Sequence, residues 1–144
     1  MSFSTENLNR CIATLESSLH LLQGVSSESI EYEVFRNAVI KGFELTLEIS
    51  GKLLRRALKA FGGSSRDVDQ LVYKDLLRQA GKHGLMDTNA IERWFSYRDN
   101  RNTTAHDYGV GFAEETLKIL PRFILDARQL SNTLRERFGS SDGT

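Results

Sequence analysis

An all-α fold, an up-and-down antiparallel four-helix bundle with one extra short helix, is predicted by three features of this 144-residue chain. Apolar residues recur every three or four positions along most of its length, and no stretch alternates long enough for a sheet. Proline occurs only once. Short polar segments separate the helical patterns, which favours antiparallel neighbours. We expect a single domain over residues 1–138 and a disordered tail over residues 139–144.

The first predicted helix begins in the segment STEN (residues 4–7) and ends at Gly24, since its apolar residues keep helical spacing between them. Ser26 or Ser27 is expected to cap the second helix, which meets no breaker before the glycine pair at 62–63. Three small residues four positions apart lie in the middle of that helix and predict the close approach of another helix. They are Gly42, Thr46 and Ser50.

The second half of the chain is predicted to start with a polar linker, GGSSRDVDQ (62–70), followed by a shorter helix that ends within residues 81–84. The segment DTN (87–89) is expected to cap the next helix. The last helix is predicted from about Phe112 to Phe138, with a kink at Pro121 because proline cannot donate a backbone hydrogen bond.

Composition excludes several classes of function. Lys plus Arg and Asp plus Glu each number 19, so any binding to nucleic acid would depend on a local basic patch. Cys11 is the single cysteine, which rules out an intramolecular disulfide and favours a reducing compartment. The N-terminal residues lack the pattern of a secretory signal, and no apolar run approaches the roughly 20 residues of a membrane span. We therefore expect a cytoplasmic protein without membrane contact.

The segment RNTTAHDY (101–108) carries the most promising chemistry. On a continuous helix Arg101 and His106 would point about 140° apart, but Thr103, Thr104 and the following glycines predict that the helix ends near His106. If the chain beyond is extended, His106 and Tyr108 point the same way. An arginine, a histidine and a phenol would then share one cleft.

That set suits phosphate chemistry, because arginine binds phosphate through two donors and histidine transfers protons near neutral pH. No cluster with metal-ligand spacing is visible, and we predict neither a metal nor a cofactor. A plainer interpretation stays open at this point. Arg101 would form a surface ion pair with Asp99 or Asp107, and His106 would only cap the helix.

Two longer segments, RDNRNTTAHDY (98–108) and FELTLEISGKLLRRAL (43–58), carry a family resemblance. The first closely resembles the signature of the HEPN superfamily, and more narrowly the Arg-x4-His-x-Tyr form of the HepT toxin and nucleotidyltransferase-substrate-binding families. The second is similar to the second helix of that group. The resemblance extends over most of the chain, from about Phe35 to Tyr108.

The resemblance implies a dimerising bundle, as a homodimer or higher oligomer, in which two motifs face one composite cleft. Arg101 and His106 would be catalytic in metal-independent RNA cleavage, with Asn102 in support. Tyr108 would accept AMP from a minimal nucleotidyltransferase, the antitoxin of a toxin–antitoxin pair, and the added anion would block the cleft. In the alternative function, the chain is a non-catalytic subunit that binds a substrate or nucleotide for a two-component nucleotidyltransferase. A helical scaffold without a ligand is a third interpretation.

Two further groups of residues have both a functional and a structural interpretation. Four cations lie within about 100° of arc at the end of the second helix and would contact RNA phosphates or an acidic partner, or form a solvated face: Lys52, Arg55, Arg56 and Lys59. Trp94, Phe95 and Tyr97 precede the motif, and we interpret them as core residues rather than as a platform for base stacking.

Overall fold

The computed structural model describes residues 3–62, 64–104 and 110–139, apart from the side chains of residues 102–104 and 110–112. The described residues form helices and contain no strand, which confirms the predicted all-α class. The helices are α1 (Glu6–Gln23), α2 (Ile30–Ala60), α3 (Ser65–Asp69), α4 (Tyr73–Lys82), α5 (Thr88–Thr104) and α6 (Val110–Phe138). The tail predicted to be disordered lies, from residue 140 onward, outside the described residues.

The cap of α2 differs from the prediction. Ser29, rather than Ser26 or Ser27, is the N-cap, because its hydroxyl accepts a hydrogen bond from the Tyr32 amide at 3.1 Å. Ser26 serves the connection itself, where its hydroxyl accepts from the Glu28 amide at 3.3 Å. Serine is common at both kinds of position, so only the backbone conformation distinguishes the cap.

Gly42, the smallest of the three small residues of α2, packs against α1, which agrees with the predicted close approach of another helix. A Cβ atom at Gly42 would lie 3.2 Å from Cδ1 of Leu15, so the two helices approach closely there. Thr46 and Ser50 are fully buried, and each hydroxyl donates to the carbonyl oxygen four residues earlier, Gly42 and Thr46 respectively, at 2.7 Å. Buried polar atoms are therefore satisfied within α2 itself.

The segment predicted as a linker, residues 62–70, contains a helix, α3, that was not predicted from the sequence. Ser64 caps it by accepting from the Asp67 amide, and Val68 buries its side chain. Arg55 of α2 donates to the carbonyl oxygens of Val68 at 2.8 Å and Leu71 at 2.7 Å. This clamp fixes the short connection that leads into α4.

The long helices run alternately up and down. Aromatic contacts of α2 with α6, Phe43 with Phe123 and Phe61 with Phe138, show that these two helices are parallel. Accordingly the start of α6 and the start of α2 lie at one end of the bundle, which we call the motif end. Pro121 lies inside α6 without ending it. Within the described residues, no helix has both the length and the apolar character that a membrane span requires.

Candidate functional site at the junction of α5 and α6

Arg101 occupies the last described turn of α5, at the motif end. It follows Tyr97 by four positions and Trp94 by seven, so it lies on the same face of the helix as these two buried residues. Arg101 itself is half-buried. His106 and Tyr108 lie outside the described residues, and the side chain of Asn102 does too.

A hydrogen bond joins α5 to α6 beside Arg101. Oγ1 of Thr116, a fully buried residue of α6, donates to Oδ1 of Asn100 at 2.8 Å. Both residues have further interactions as well. Because Asn100 directly precedes Arg101, this bond fixes the end of α5 against the first turns of α6.

A buried carboxylate connects the same two helices further along. Asp126 of α6 is 7% exposed, and its carboxylate accepts hydrogen bonds from Nε and Nη2 of Arg93 at 2.8 and 3.0 Å. The Tyr97 hydroxyl donates to the same carboxylate, and Nε of Arg122 lies 3.5 Å from it. Two guanidinium groups and a phenol therefore surround one carboxylate, and the buried charge is fully compensated.

These contacts shift the ionisation of the groups around Asp126. Burial raises the pKa of Tyr97 above its ordinary value, and the hydrogen bond to Asp126 raises it further. The same carboxylate raises the pKa of Arg93 through its hydrogen bond. Tyr97 is thus a neutral donor and Arg93 a fixed cation at any physiological pH. Their arrangement serves structure, since neither group can take up or release a proton near neutrality.

A tyrosine of α4 supports the other side of α5. The Tyr73 hydroxyl donates to the Leu47 carbonyl oxygen of α2 at 3.0 Å, and its ring lies against Gly51, where a Cβ atom would be 2.8 Å from Cε2. The guanidinium carbon of Arg98 lies 4.8 Å from the centre of the ring. Burial raises the pKa of Tyr73, while the charges of Arg98 and Arg55 oppose that shift.

Two more cations of α4 lie on the α4–α5 surface, above the ring of Phe95. Nζ of Lys74 and the guanidinium carbon of Arg78 are 5.6 and 5.2 Å from its centre. Each also has a carboxylate partner: Lys74 pairs with Asp99 at 3.0 Å and Arg78 with Asp75 at 2.6 Å. Asp99, one of the two predicted ion-pair partners of Arg101, is therefore engaged by Lys74, and Asp107 lies outside the described residues.

The four predicted cations at the end of α2 have different surroundings. Arg55 forms the clamp described above, and Lys59 pairs with Asp69 at 2.7 Å. Lys52 forms a surface pair with Glu48 at 3.6 Å, and Arg56 lies over the Phe3 ring at 5.9 Å. Lys52 and Arg56 also border a groove of about 570 Å³ between the start of α1 and α2. Their contacts with RNA or a partner stay a prediction.

Two of the three aromatic residues before the motif lie in the core, as interpreted from the sequence. Trp94 and Tyr97 are 1% and 3% exposed, and both pack edge-on against Phe123. Phe95 is partly buried. Asp126 was not predicted from the sequence, although a signal was available: this aspartate stands among the apolar residues of α6, between Phe123 and Leu130, and a buried charge requires partners.

Comparison with known proteins places this geometry in a family context. Residues 4–136 match the family described as "Nucleotidyltransferase substrate binding protein like". A Haemophilus influenzae protein named "Probable ribonuclease HepT" is 30% identical over 109 residues, which cover 76% of this chain and 73% of that protein.

Two solved structures are similar to the chain over nearly their whole length. One, from Haemophilus influenzae, is described as revealing the fold of a substrate binding domain of a nucleotidyltransferase. It is 25% identical with a TM-score of 0.79, and the match covers 92% of this chain and 99% of that one. A second structure, of a Thermus thermophilus protein, is 25% identical with a TM-score of 0.73, over 89% of this chain and 98% of that one.

Proposed function

Since the chain belongs to the family of nucleotidyltransferase substrate binding protein-like proteins, we propose that it is a metal-independent endoribonuclease of the HEPN type. One observation carries the proposal. Arg101 lies on the same face of α5 as the buried residues Trp94 and Tyr97. In the sequence it is followed directly by the residues that carry the amide, imidazole and phenol of the motif, Asn102, His106 and Tyr108. The ribonuclease name of the Haemophilus influenzae relative supports the same chemistry.

In the proposed reaction, Arg101 and His106 have separate roles. The guanidinium group binds the scissile phosphate and stabilises the charge that develops on it. His106 takes the proton of the ribose 2′-hydroxyl as the 2′-oxygen bonds to phosphorus. The bond between phosphorus and the 5′-oxygen then breaks as the His106 imidazolium gives its proton to that oxygen. Asn102 supports the site. These steps leave a cyclic phosphate on one product.

Two protomers would form the composite cleft. Ile30 and Val34 lie one turn apart at the start of α2, are 76% and 56% exposed, and belong to the motif end. Apolar surface of this kind supports pairing of two chains there, because its burial is favourable. We therefore propose a homodimer whose two motifs face each other.

A minimal nucleotidyltransferase would be the partner and antitoxin. It would transfer AMP from ATP to the hydroxyl of Tyr108, two residues after His106, with loss of the hydroxyl proton and release of pyrophosphate. The transferred group is bulky and negatively charged, so it would repel an RNA phosphate and fill the space beside Arg101. Modification would then silence the nuclease without unfolding the bundle.

The second candidate is a non-catalytic subunit that binds a substrate or nucleotide for the nucleotidyltransferase. The description of the Haemophilus influenzae structure as a substrate binding domain favours it. In this function Arg101 would hold a phosphate group, and His106 would have no role in bond cleavage.

Expression of the chain alone separates the two candidates. The nuclease proposal predicts growth arrest by the wild type and its loss in His106→Ala, because proton transfer is removed while Arg101 still binds phosphate. His83→Ala is the matched control, since His83 is exposed and stacks on Phe61 at the end of the bundle opposite the motif. If the wild type and both variants are equally harmless while all are folded and soluble, the toxin proposal fails and the binding subunit is favoured.

A further inference from the structure

Arg98 lies one helical turn before Arg101 on α5. Three residues advance the helix by roughly 4.5 Å and turn it by about 300°, so the two side chains leave neighbouring positions of one surface. Both residues are half-buried, which limits the number of conformations available to each. Two arginines at this spacing can contact successive phosphates of one nucleic-acid strand.

The ring of Tyr73 fixes the position of the Arg98 guanidinium group. The ring is itself fixed, because its hydroxyl bonds to the Leu47 carbonyl oxygen and its edge fits against Gly51. The guanidinium group lies over this ring, 4.8 Å from its centre. A stacked arginine keeps its donors at the rim of the guanidinium plane, where phosphate oxygens can reach them.

The neighbouring cations differ from Arg98 in one respect. Lys74 and Arg78 each pair with a carboxylate, Asp99 and Asp75. Among the residues that the structure describes, none forms such a pair with Arg98. Stacking on Tyr73 orders the group without neutralising it. An ordered cation beside Arg101 loses little conformational freedom when it binds an anion.

We infer that Arg98 is a phosphate-binding residue for the RNA substrate, one nucleotide away from the phosphate held by Arg101, and that Tyr73 positions it. The inference rests on the proposed function, since RNA is the ligand. Arg98 binds the ground state and the transition state alike, because it contacts a phosphate that does not react. Its removal therefore affects binding of the substrate and leaves the chemical step unchanged.

Binding of a fluorescein-labelled single-stranded RNA to His106→Ala protein, followed by anisotropy at several salt concentrations, tests the inference. Adding Arg98→Ala should weaken binding roughly three- to tenfold and lower the slope of log K against log salt by about 0.7, as expected for one lost phosphate contact. The RNA affinity of the Arg98→Lys variant should lie between that of protein with Arg98 and that of Arg98→Ala, because lysine keeps the charge but lacks the planar guanidinium group. Arg78→Ala is the matched control, with less than a twofold effect.

The role of Tyr73 is tested by two substitutions of its own. Tyr73→Phe loses the bond to Leu47 but keeps a ring against Gly51 and beneath Arg98, so it should retain most of the RNA affinity. Tyr73→Leu removes the ring and should lower affinity toward that of Arg98→Ala. Thermal melting confirms that each variant is folded. Equal affinity of the Leu and Phe variants would overturn the positioning role.

The outcomes distinguish this inference from the nuclease proposal. If the wild type cleaves RNA and Arg98→Ala cleaves it with unchanged KM and binds it equally well, the inference alone fails. If RNA binding depends on Arg98 while the wild type cleaves nothing, the nuclease proposal fails and the inference stands. In an active enzyme we expect a raised KM for Arg98→Ala at unchanged kcat.

Discussion

The hydroxyl of Tyr97 and the carboxylate of Asp126 form a hydrogen bond across the buried interface of α5 and α6. Arg93 binds the same carboxylate through two nitrogen atoms. The position of α5, and with it Arg101, thus depends on one acidic side chain of another helix.

Asp126→Asn should therefore destabilise the protein by roughly 2–4 kcal/mol, because it leaves the Arg93 guanidinium without its counter-charge at a partly buried site. Tyr97→Phe should cost about 1.5–3 kcal/mol, the usual contribution of a hydrogen bond to a charged group. Urea unfolding of both single variants and the double variant measures these values. If the stability losses of the two single variants simply add in the double variant, Tyr97 and Asp126 do not act in one network.

Two tyrosines should make stability fall at alkaline pH. Burial raises the pKa of Tyr73 and of Tyr97, so the folded state holds their protons more tightly than the unfolded chain. The contribution of these two tyrosines to the free energy of unfolding is complete below the ordinary tyrosine pKa of about 10. It is lost as the pH rises above that value. The free energy of unfolding, measured by urea from pH 8 to 11, should decline above pH ~10. Replacing both tyrosines with Phe should flatten that decline.

Substitution by alanine should change the stability of the protein differently at two glycines of α2. At Gly51 the added methyl group would meet the ring of Tyr73 at 2.8 Å, and the ring cannot move without losing its bond to Leu47. Gly51→Ala should therefore destabilise by about 1–2 kcal/mol despite its better helix propensity. At Gly42 the nearest atom is the flexible end of Leu15, and the change should stay within about 0.5 kcal/mol of zero. Chemical denaturation of both variants checks the contrast.

Substitution of Arg55 and of Lys52 by alanine should affect the stability of the protein differently, because only Arg55 has a structural role. Arg55→Ala removes both bonds of the clamp to the Val68 and Leu71 carbonyl oxygens and should destabilise by roughly 2–3 kcal/mol. Lys52→Ala removes a pair whose side chains are 73% and 62% exposed, so melting should hardly change. A loss of RNA binding in Lys52→Ala, with melting unchanged, would assign that residue to the substrate; binding equal to wild type would exclude it.

Co-expression with a minimal nucleotidyltransferase should add AMP to the chain, and intact-protein mass spectrometry should detect the added mass. Tyr108→Phe should abolish the addition because it lacks the accepting oxygen. Tyr32→Phe is the control, since that tyrosine belongs to the first turn of α2 and lies outside the motif. An unmodified wild type, with the transferase active on ATP, would contradict the modification proposal.

Periodicity predicted the class of fold because each long helix has a continuous apolar face. The start of α2 was misplaced since Ser26, Ser27 and Ser29 offer the same side-chain chemistry, and only the extended backbone at Ser29 decides the cap. Helix α3 was missed for a different reason. It spans Ser65–Asp69, and five residues give too few positions for a period to be visible.

The contacts around the candidate site were harder to predict, because they join residues far apart in sequence. Asp126 and Tyr97 are separated by 29 positions, and Tyr73 bonds to the carbonyl oxygen of Leu47 across 26. A backbone carbonyl gives no signal in the sequence. The proposed role of Arg101, in contrast, was predicted from its neighbours along the chain, since its motif is local, and it stays a prediction.

Pairing of the first and last helices has a consequence for synthesis on the ribosome. Ser131 of α6 donates to Asn9 of α1 across 122 positions, and Arg128 pairs with Glu16 across 112. Asp126 and Thr116, which hold α5, also belong to α6. While α6 is still inside the exit tunnel of the ribosome, the nascent chain therefore lacks the contacts that hold α5 and Arg101 in place. Premature termination before α6 should yield an inactive fragment that proteases digest readily.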